Sequence, residues 1–262
     1  MCTVSVVPFG PSIPGFRLAC NRDESLVRAA ALPPRVREFG RRRAVLPIDP
    51  TGGGTWIAAS DAGIVLALLN RNLGPPGGRR VPRSPRASRG SIIPGLLRCS
   101  SIDAMLERLA ARVDPRAFLP FRLVLASRDE VAQVVSNGLM LRSRRAPLDA
   151  GPWMFTSSGL GDERVRRVRG ALFRRMLGEH ETPLAAQAAF HAHRWPRRPA
   201  ISVRMSRPRA ETVSLTVVDL LPWSLRLTYH PEGAFRAGDP LATVRSLDCV
   251  PRGAREIARA IS

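Results

Sequence analysis

Residues 2–8 (CTVSVVP) alternate, with Cys2, Val4 and Val6 on one face, which is the period of a β-strand. Residues 13–20 (IPGFRLAC) predict a second strand paired back on the first. The stretch Gly52–Asn70 predicts a hairpin: a strand through Trp56 to Ala59, a Ser-Asp-Ala-Gly turn, and a strand from Ile64 to Leu69. The unbroken hydrophobicity of that last strand implies burial on both faces. Ser101 is placed to cap a helix in which Ile102, Met105, Leu106, Leu109 and Val113 recur on one face before Pro115 stops it. Strand-like segments follow at 121–127 and 131–135, then a Ser136-Asn137-Gly138 turn into LMLRS. A second amphipathic helix fits 162–177, with Val165, Val168, Leu172 and Met176 as its apolar stripe and arginines on a face that reads as solvated. Residues 212–219 and 223–230 predict another strand pair, and the tail from Arg252 a short helix.

Strands in runs with helices between the runs indicate α+β layers rather than alternating βαβ units. Neither a repeat nor a linker interrupts the chain, so residues 1–262 read as one domain. Its exposed part is the Gly/Pro/Arg/Ser-rich loop at about 72–90, which has no means of packing a core. With 44% hydrophobic residues the chain has enough apolar surface for a full core. No apolar run approaches the roughly 18 residues of a membrane span, so a soluble, cytoplasmic protein is expected.

The formal charge of +20 ordinarily points to nucleic acid or another polyanion. Here all 41 basic residues are arginine, scattered over Arg41–Arg43, Arg79–Arg89, Arg164–Arg175 and Arg194–Arg198 among abundant Ala, Pro and Gly. That pattern fits biased codon usage and solvated faces, and no nucleic-acid partner is expected. The alternative is a polyanion or anionic-ligand site.

Cys2, Cys20, Cys99 and Cys249 are widely spaced without a CxxC pair, which points to reduced thiols rather than zinc or a disulfide scaffold. Cys2 stands apart. Removal of Met1 would expose a thiol and an α-amine on one residue, and an amine of ordinary pKa about 8 can take the thiol proton near neutral pH. Arg22 suits either a bidentate anionic ligand or a partner carboxylate such as Glu24. The Gly52-Gly53-Gly54 run reads as a turn, since a strand follows and no Gly-Lys-Ser/Thr does. His191 and His193 have no further ligands placed around them, so no metal site is expected. Trp56 reads as core or pocket wall.

Several segments resemble, in order and spacing, the NRDE family, also called the transport and Golgi organisation 2 family. They are MCTVSVVP, LACNRDES with Asn21, Arg22, Asp23 and Glu24, GGTWIA, LLN, and SRGSIIPGLL from Ser88. Further on, TSSGLGDERVRRVR at 156–169 is similar to the family's serine-asparagine segment, and ISVR at 201–204 with PRAET at 208–212 to its glycine-threonine-arginine block. The family in turn resembles N-terminal-nucleophile amidases such as penicillin V acylases and bile-salt hydrolases. The resemblance implies a four-layer αββα sandwich of two antiparallel sheets. It places the nucleophile on Cys2, an orienting carboxylate on Asp23, an oxyanion contributor on Asn70 and a late-strand arginine on Arg209. Ligand contacts fall on Asn21, Arg22, Glu24, Trp56 and Ser158. Two positions depart from the amidases: their arginine becomes Cys20, and their second oxyanion asparagine becomes Ser158.

The function so implied is hydrolysis of amide or thioester bonds in small acyl substrates, without a cofactor. Its alternative is a non-catalytic carrier of acyl-coenzyme A, lipid or haem. Either partner is a small acyl, lipid or tetrapyrrole ligand, and an arginine-lined entrance suits anionic cargo.

Overall fold

The computed structural model describes residues 2–72, 87–231 and 242–249. Most of the loop expected at 72–90, and the helix expected from Arg252, lie outside those residues.

In chain order the first half contains β1 (Cys2–Pro8), β2 (Phe16–Ser25), β3 (Leu32–Phe39), β4 (Arg42–Ile48), β5 (Ile57–Ser60) and β6 (Ile64–Asn70). Then come α1 (Ile92–Leu96), α2 (Ile102–Arg112), β7 (Phe121–Ala126), β8 (Glu130–Ser136) and β9 (Leu141–Pro147). They are followed by β10 (Trp153–Thr156), α3 (Asp162–Glu179) and α4 (Pro183–Ala192). The last described elements are β11 (Ser206–Arg207), β12 (Ala210–Leu220), β13 (Ser224–Pro231) and β14 (Thr243–Asp248).

The strands form two antiparallel sheets. One runs β10-β1-β2-β12-β13-β14 with β11 on β12, and the other runs β3 through β9 in sequence order. A shared core lies between them, containing Val4, Val6, Leu18, Val65, Ala67, Leu69 and Leu227. The outer face of the second sheet buries Ile64, Leu66 and Leu68 under α1 and α2. The outer face of the first sheet packs on α3 and α4 through Val7, Phe173, Phe190 and Val203. The result is the helix, sheet, sheet, helix layering that the family resemblance implies.

β6 shows why its pattern was unbroken: odd residues enter one core and even residues the other, each buried Val, Leu or Ile side chain contributing about 1.5–3 kcal/mol. The Ser101 hydroxyl caps α2 by accepting from Ala104 N at 3.2 Å. β2 extends beyond the expected 13–20 because β12 pairs with it as far as Ser25, which puts residues 21–24 inside the sheet. The β3–β4 hairpin has no counterpart in the sequence reading. β3 is an edge strand, so Pro33 and Pro34 are tolerated where their missing donors cost nothing in the ladder.

α4 docks through a buried polar chain. Gln187 Nε2 donates to Ser5 Oγ at 2.8 Å, and Ser5 Oγ lies 2.7 Å from His191 Nε2. His191 Nδ1 lies 2.8 Å from Asn21 Oδ1, while Asn21 Nδ2 donates to the carbonyls of His191 and Val203. The arrangement closes with a neutral imidazole carrying its hydrogen on Nδ1 and accepting from Ser5. Burial, reinforced by Arg169, depresses the ring pKa to about 3.

This depression has a signed consequence. Above the ordinary value of about 6.5 both states are neutral and stability is full; as pH falls toward 3 the unfolded chain gains a proton that the folded chain refuses, costing up to about 1.4 kcal/mol per pH unit. Urea unfolding at pH 7 and pH 5 should therefore differ by about 2 kcal/mol from this group. His191→Gln should flatten that limb. A second expectation concerns a close backbone approach: a Cβ on Gly54 would lie 2.3 Å from the Gly90 carbonyl carbon. Gly54→Ala should lower stability by about 1–3 kcal/mol in the same assay.

Candidate active site

Cys2, the first residue of β1, is held on both sides. It pairs with Arg22 of β2, its carbonyl accepts from Ser157 N at 2.9 Å, and its nitrogen lies 3.0 Å from Ser157 Oγ. Strand alternation then divides the surroundings. Cys2, Cys20 and Arg22 project between the sheets, while Thr3, Asn21 and Asp23 project toward the helices.

On the inter-sheet side, Cys20 is the diagonal neighbour of Cys2, since it pairs with Val4. A hydrogen bond from Cys20 draws the Cys2 thiol pKa below its ordinary value against the opposing cost of burial, with Arg22 helping. The same contact, with burial, pushes Cys20 well up. Burial also raises Cys99 and Cys249, so Cys2 is the thiol favoured to ionise. Arg22 resolves to carboxylate pairing: Nη2 lies 3.4 Å from both Glu24 Oε2 and Asp49 Oδ2, and its guanidinium stacks 4.3 Å from the Trp56 ring centre. Arg28 completes the cluster, with Nη2 2.6 Å from Asp49 Oδ2. Glu24 also accepts from Ser25 N at 2.9 Å, so both of its oxygens are engaged within the cluster. Trp56 is buried in the inter-sheet core, and its Nε1–H meets no acceptor among the described residues.

On the helix side, Asp23 Oδ1 accepts from Thr212 Oγ1 at 2.6 Å. Burial raises its pKa, and Arg169, Thr212 and Arg207 oppose that rise. Arg169 is fully buried, contrary to the solvated face expected for the α3 arginines. It stands four residues after Val165 and three before Leu172, on the apolar stripe, and that spacing was the available signal. Arg207 Nη2 donates to Ser158 Oγ at 2.8 Å and to Ala200 O at 2.9 Å. Arg209, the arginine expected here, is exposed in the β11–β12 turn, where its carbonyl accepts from Leu26 N. The two-residue turn explains the exchange.

The other expected residues separate. Asn21 is turned to α4 and uses its carboxamide there instead of facing a ligand. Ser158 is fully buried, and its hydroxyl serves Arg207 and Leu160 N rather than an open space. Asn70 ends β6 opposite Phe121, and alternation carries its side chain to the face of Leu66 and Leu68. Asn72 instead binds Asp162, with N to Oδ2 at 3.0 Å and Nδ2 to Oδ1 at 3.1 Å. Ser157 was missed by sequence reasoning, although it stands beside Ser158 in the TSSG segment. Among the described residues no three His, Cys, Asp or Glu side chains are grouped to hold a metal, and no helix is long and apolar enough to cross a membrane.

The layering and the placement of residue 2 define the N-terminal-nucleophile hydrolase fold. Penicillin V acylase from Agrobacterium tumefaciens superposes with a TM-score of 0.53 at 14% identity, covering 95% of this chain and 86% of that one. The N-acylethanolamine-hydrolyzing acid amidase ortholog of Caenorhabditis elegans gives 0.52 at 11%, covering 83% and 92%. The C2A mutant of conjugated bile acid hydrolase from Clostridium perfringens gives 0.52 at 10%, covering 95% and 92%. Residues 1–192 match the model of the Transport and Golgi organisation 2 family, and the chain belongs to that family. A search of curated protein sequences returned no match.

Given these thiol environments, iodoacetamide labelling at pH 7 followed by peptide mapping should modify Cys2 about tenfold faster than Cys20 or Cys249, and faster than Cys99. Equal rates would remove the special status of Cys2.

Proposed function

We propose that the protein hydrolyses amide or thioester bonds of small acyl compounds, with Cys2 as nucleophile once Met1 is removed. The observation that carries this reading is the two-sided setting of Cys2: a thiol with a lowered pKa on one face, and a main-chain nitrogen against Ser157 Oγ. Freed as an α-amine, that nitrogen takes the thiol proton. The sulfur attacks the acyl carbon and the carbonyl pair moves onto oxygen. Collapse expels the amine or thiol, which recovers the proton from the ammonium, and leaves a thioester on Cys2. Water, deprotonated by the same amine, then releases the acid and restores the thiol.

The helix-side groups fit supporting roles. Asp23 supplies a carboxylate for the amine, and Arg207 takes the part expected of Arg209 by holding Ser158 beside Ser157. An oxyanion donor from Asn70 falls to its main chain, because its side chain lies on the other face of β6. The Trp56 Nε1–H, without an acceptor among the described residues, is a donor for a ligand carbonyl. Proteins that share the fold are named as an acylase, an acid amidase and a bile acid hydrolase, which supports this substrate class.

Intact-protein mass spectrometry should find the chain without Met1, and retention of Met1 would remove the base that the reaction needs. Against a panel of acyl amides and acyl thioesters, Cys2→Ala should lower turnover by at least about 1,000-fold. A carrier of acyl-coenzyme A, lipid or haem would give the opposite result, binding its ligand equally in both forms and hydrolysing nothing.

A further inference from the structure

The side chain of Arg169 crosses from α3 to the first sheet. Nη1 donates to Thr3 Oγ1 and to Thr156 Oγ1, the latter at 2.8 Å; Nε donates to Ile201 O at 3.1 Å, and Nη2 to Ser202 O. Thr3 and Thr156 are cross-strand partners. They immediately follow and precede Cys2 and Ser157 in the chain. All four acceptors are hydroxyls or carbonyls, so the hydrogen bonds engage all three guanidinium nitrogens without neutralising the charge. A fully buried ion costs several kcal/mol unless a counter-charge repays it, and an apolar residue would continue the stripe of Val165, Leu172 and Met176 more cheaply.

We propose that Arg169 is a positioning residue of the Cys2 site, tying Thr3 to Thr156 and placing a buried positive charge on the face of the sheet that carries Asp23. This rests on the reading of Cys2 and Asp23 as functional partners and deepens it. Arg169 acts through Asp23 and the two threonines. Asp23 is the diagonal neighbour of Thr3 on the same face, since Thr3 pairs with Asn21; burial raises its pKa, and Arg169 is the largest influence opposing that rise. The other charged or titratable groups on the pair are the terminal α-amine ahead of β1 and Arg207 from β11, which also oppose the rise, the Cys2 thiol from β1, and His191 from α4, whose protonation Arg169 disfavours.

A double-mutant cycle over pH tests the proposal on the full-length chain. The variants are Arg169→Met, Asp23→Asn, the two combined, and Arg169→Lys, each unfolded in urea between pH 5 and pH 8. Without Arg169 the folded-state pKa of Asp23 rises further. A raised carboxyl pKa favours the folded state at low pH and loses that advantage as pH climbs through it, so the deficit of Arg169→Met should be large at pH 8 and shrink toward pH 5.

His191 shifts the deficit in the same direction, which the Asp23→Asn background corrects for. There, most of the pH dependence of the Arg169→Met deficit should vanish. Arg169→Lys should keep the deficit nearly constant with pH. If Arg169→Met does not fold at pH 8, the proposal requires that the combined variant does. A deficit independent of pH, an equal pH dependence in the Asp23→Asn background, or a combined variant unfolded while Asp23→Asn alone folds would reduce Arg169 to a structural tie. Absence of turnover by the unmodified protein would overturn the hydrolase reading and leave the outcome of this cycle unaffected.

Discussion

The site depends on main-chain hydrogen bonds that fix residue 2 between two strands. Chain ends ordinarily fray, because few contacts repay their ordering. Here β1 is an interior strand, paired with β2 from Cys2 to Pro8 and with β10 from Thr3 to Val6, and Ser157 extends the second pairing to the Cys2 carbonyl. A residue held on both sides has its thiol direction and its nitrogen direction set by the sheet. The buried side chains of Val4 and Val6 then anchor the strand in the core between the sheets.

That anchoring separates charges that would oppose each other if they shared a face. The Asp23 carboxylate raises the Cys2 thiol pKa, whereas Arg22 lowers it. Alternation sends Arg22 to the thiol face and Asp23 to the helix face, beside Arg169 and Arg207. The two arginine environments also differ in kind. Arg22 is neutralised at contact by Glu24 and Asp49 and stacked on Trp56. Arg169 is solvated by neutral oxygens, and its charge acts through space.

The layers were legible wherever one physical signal dominated. The Ser101 cap with a periodic run gave α2, and β6 betrayed its double burial through continuous hydrophobicity. β3 was hidden by its prolines and arginines, because an edge strand lacks the alternation that burial imposes, and β4 because its short buried run is preceded by arginines and interrupted by Pro47. α4 was hidden because PLAAQAAFHA is apolar almost all round, with its polar contacts buried. At the site, Cys2 and Asp23 came from the family resemblance, and register alone brings Cys20 beside Cys2. The exchange of Arg209 for Arg207 turns on a two-residue turn whose geometry no motif contains. Arg169 was legible in principle: an arginine in phase with an apolar stripe is expected to be buried.

The edges of the second sheet give the arginine excess a consequence outside the site. Among the described residues, β3 and β9 each leave a row of backbone donors and acceptors open on one side. β3 carries Pro33, Pro34, Arg35 and Arg37, and β9 carries Arg142, Arg144 and Pro147, its Arg145 being paired with Glu130 and Asp103. Proline removes a donor that another strand would need, and guanidinium groups of like sign repel a second copy before its backbone comes within bonding distance. Strand exchange and fibrous stacking between copies are thereby opposed at both ends of this sheet, and the high net charge acts there as a solubility device.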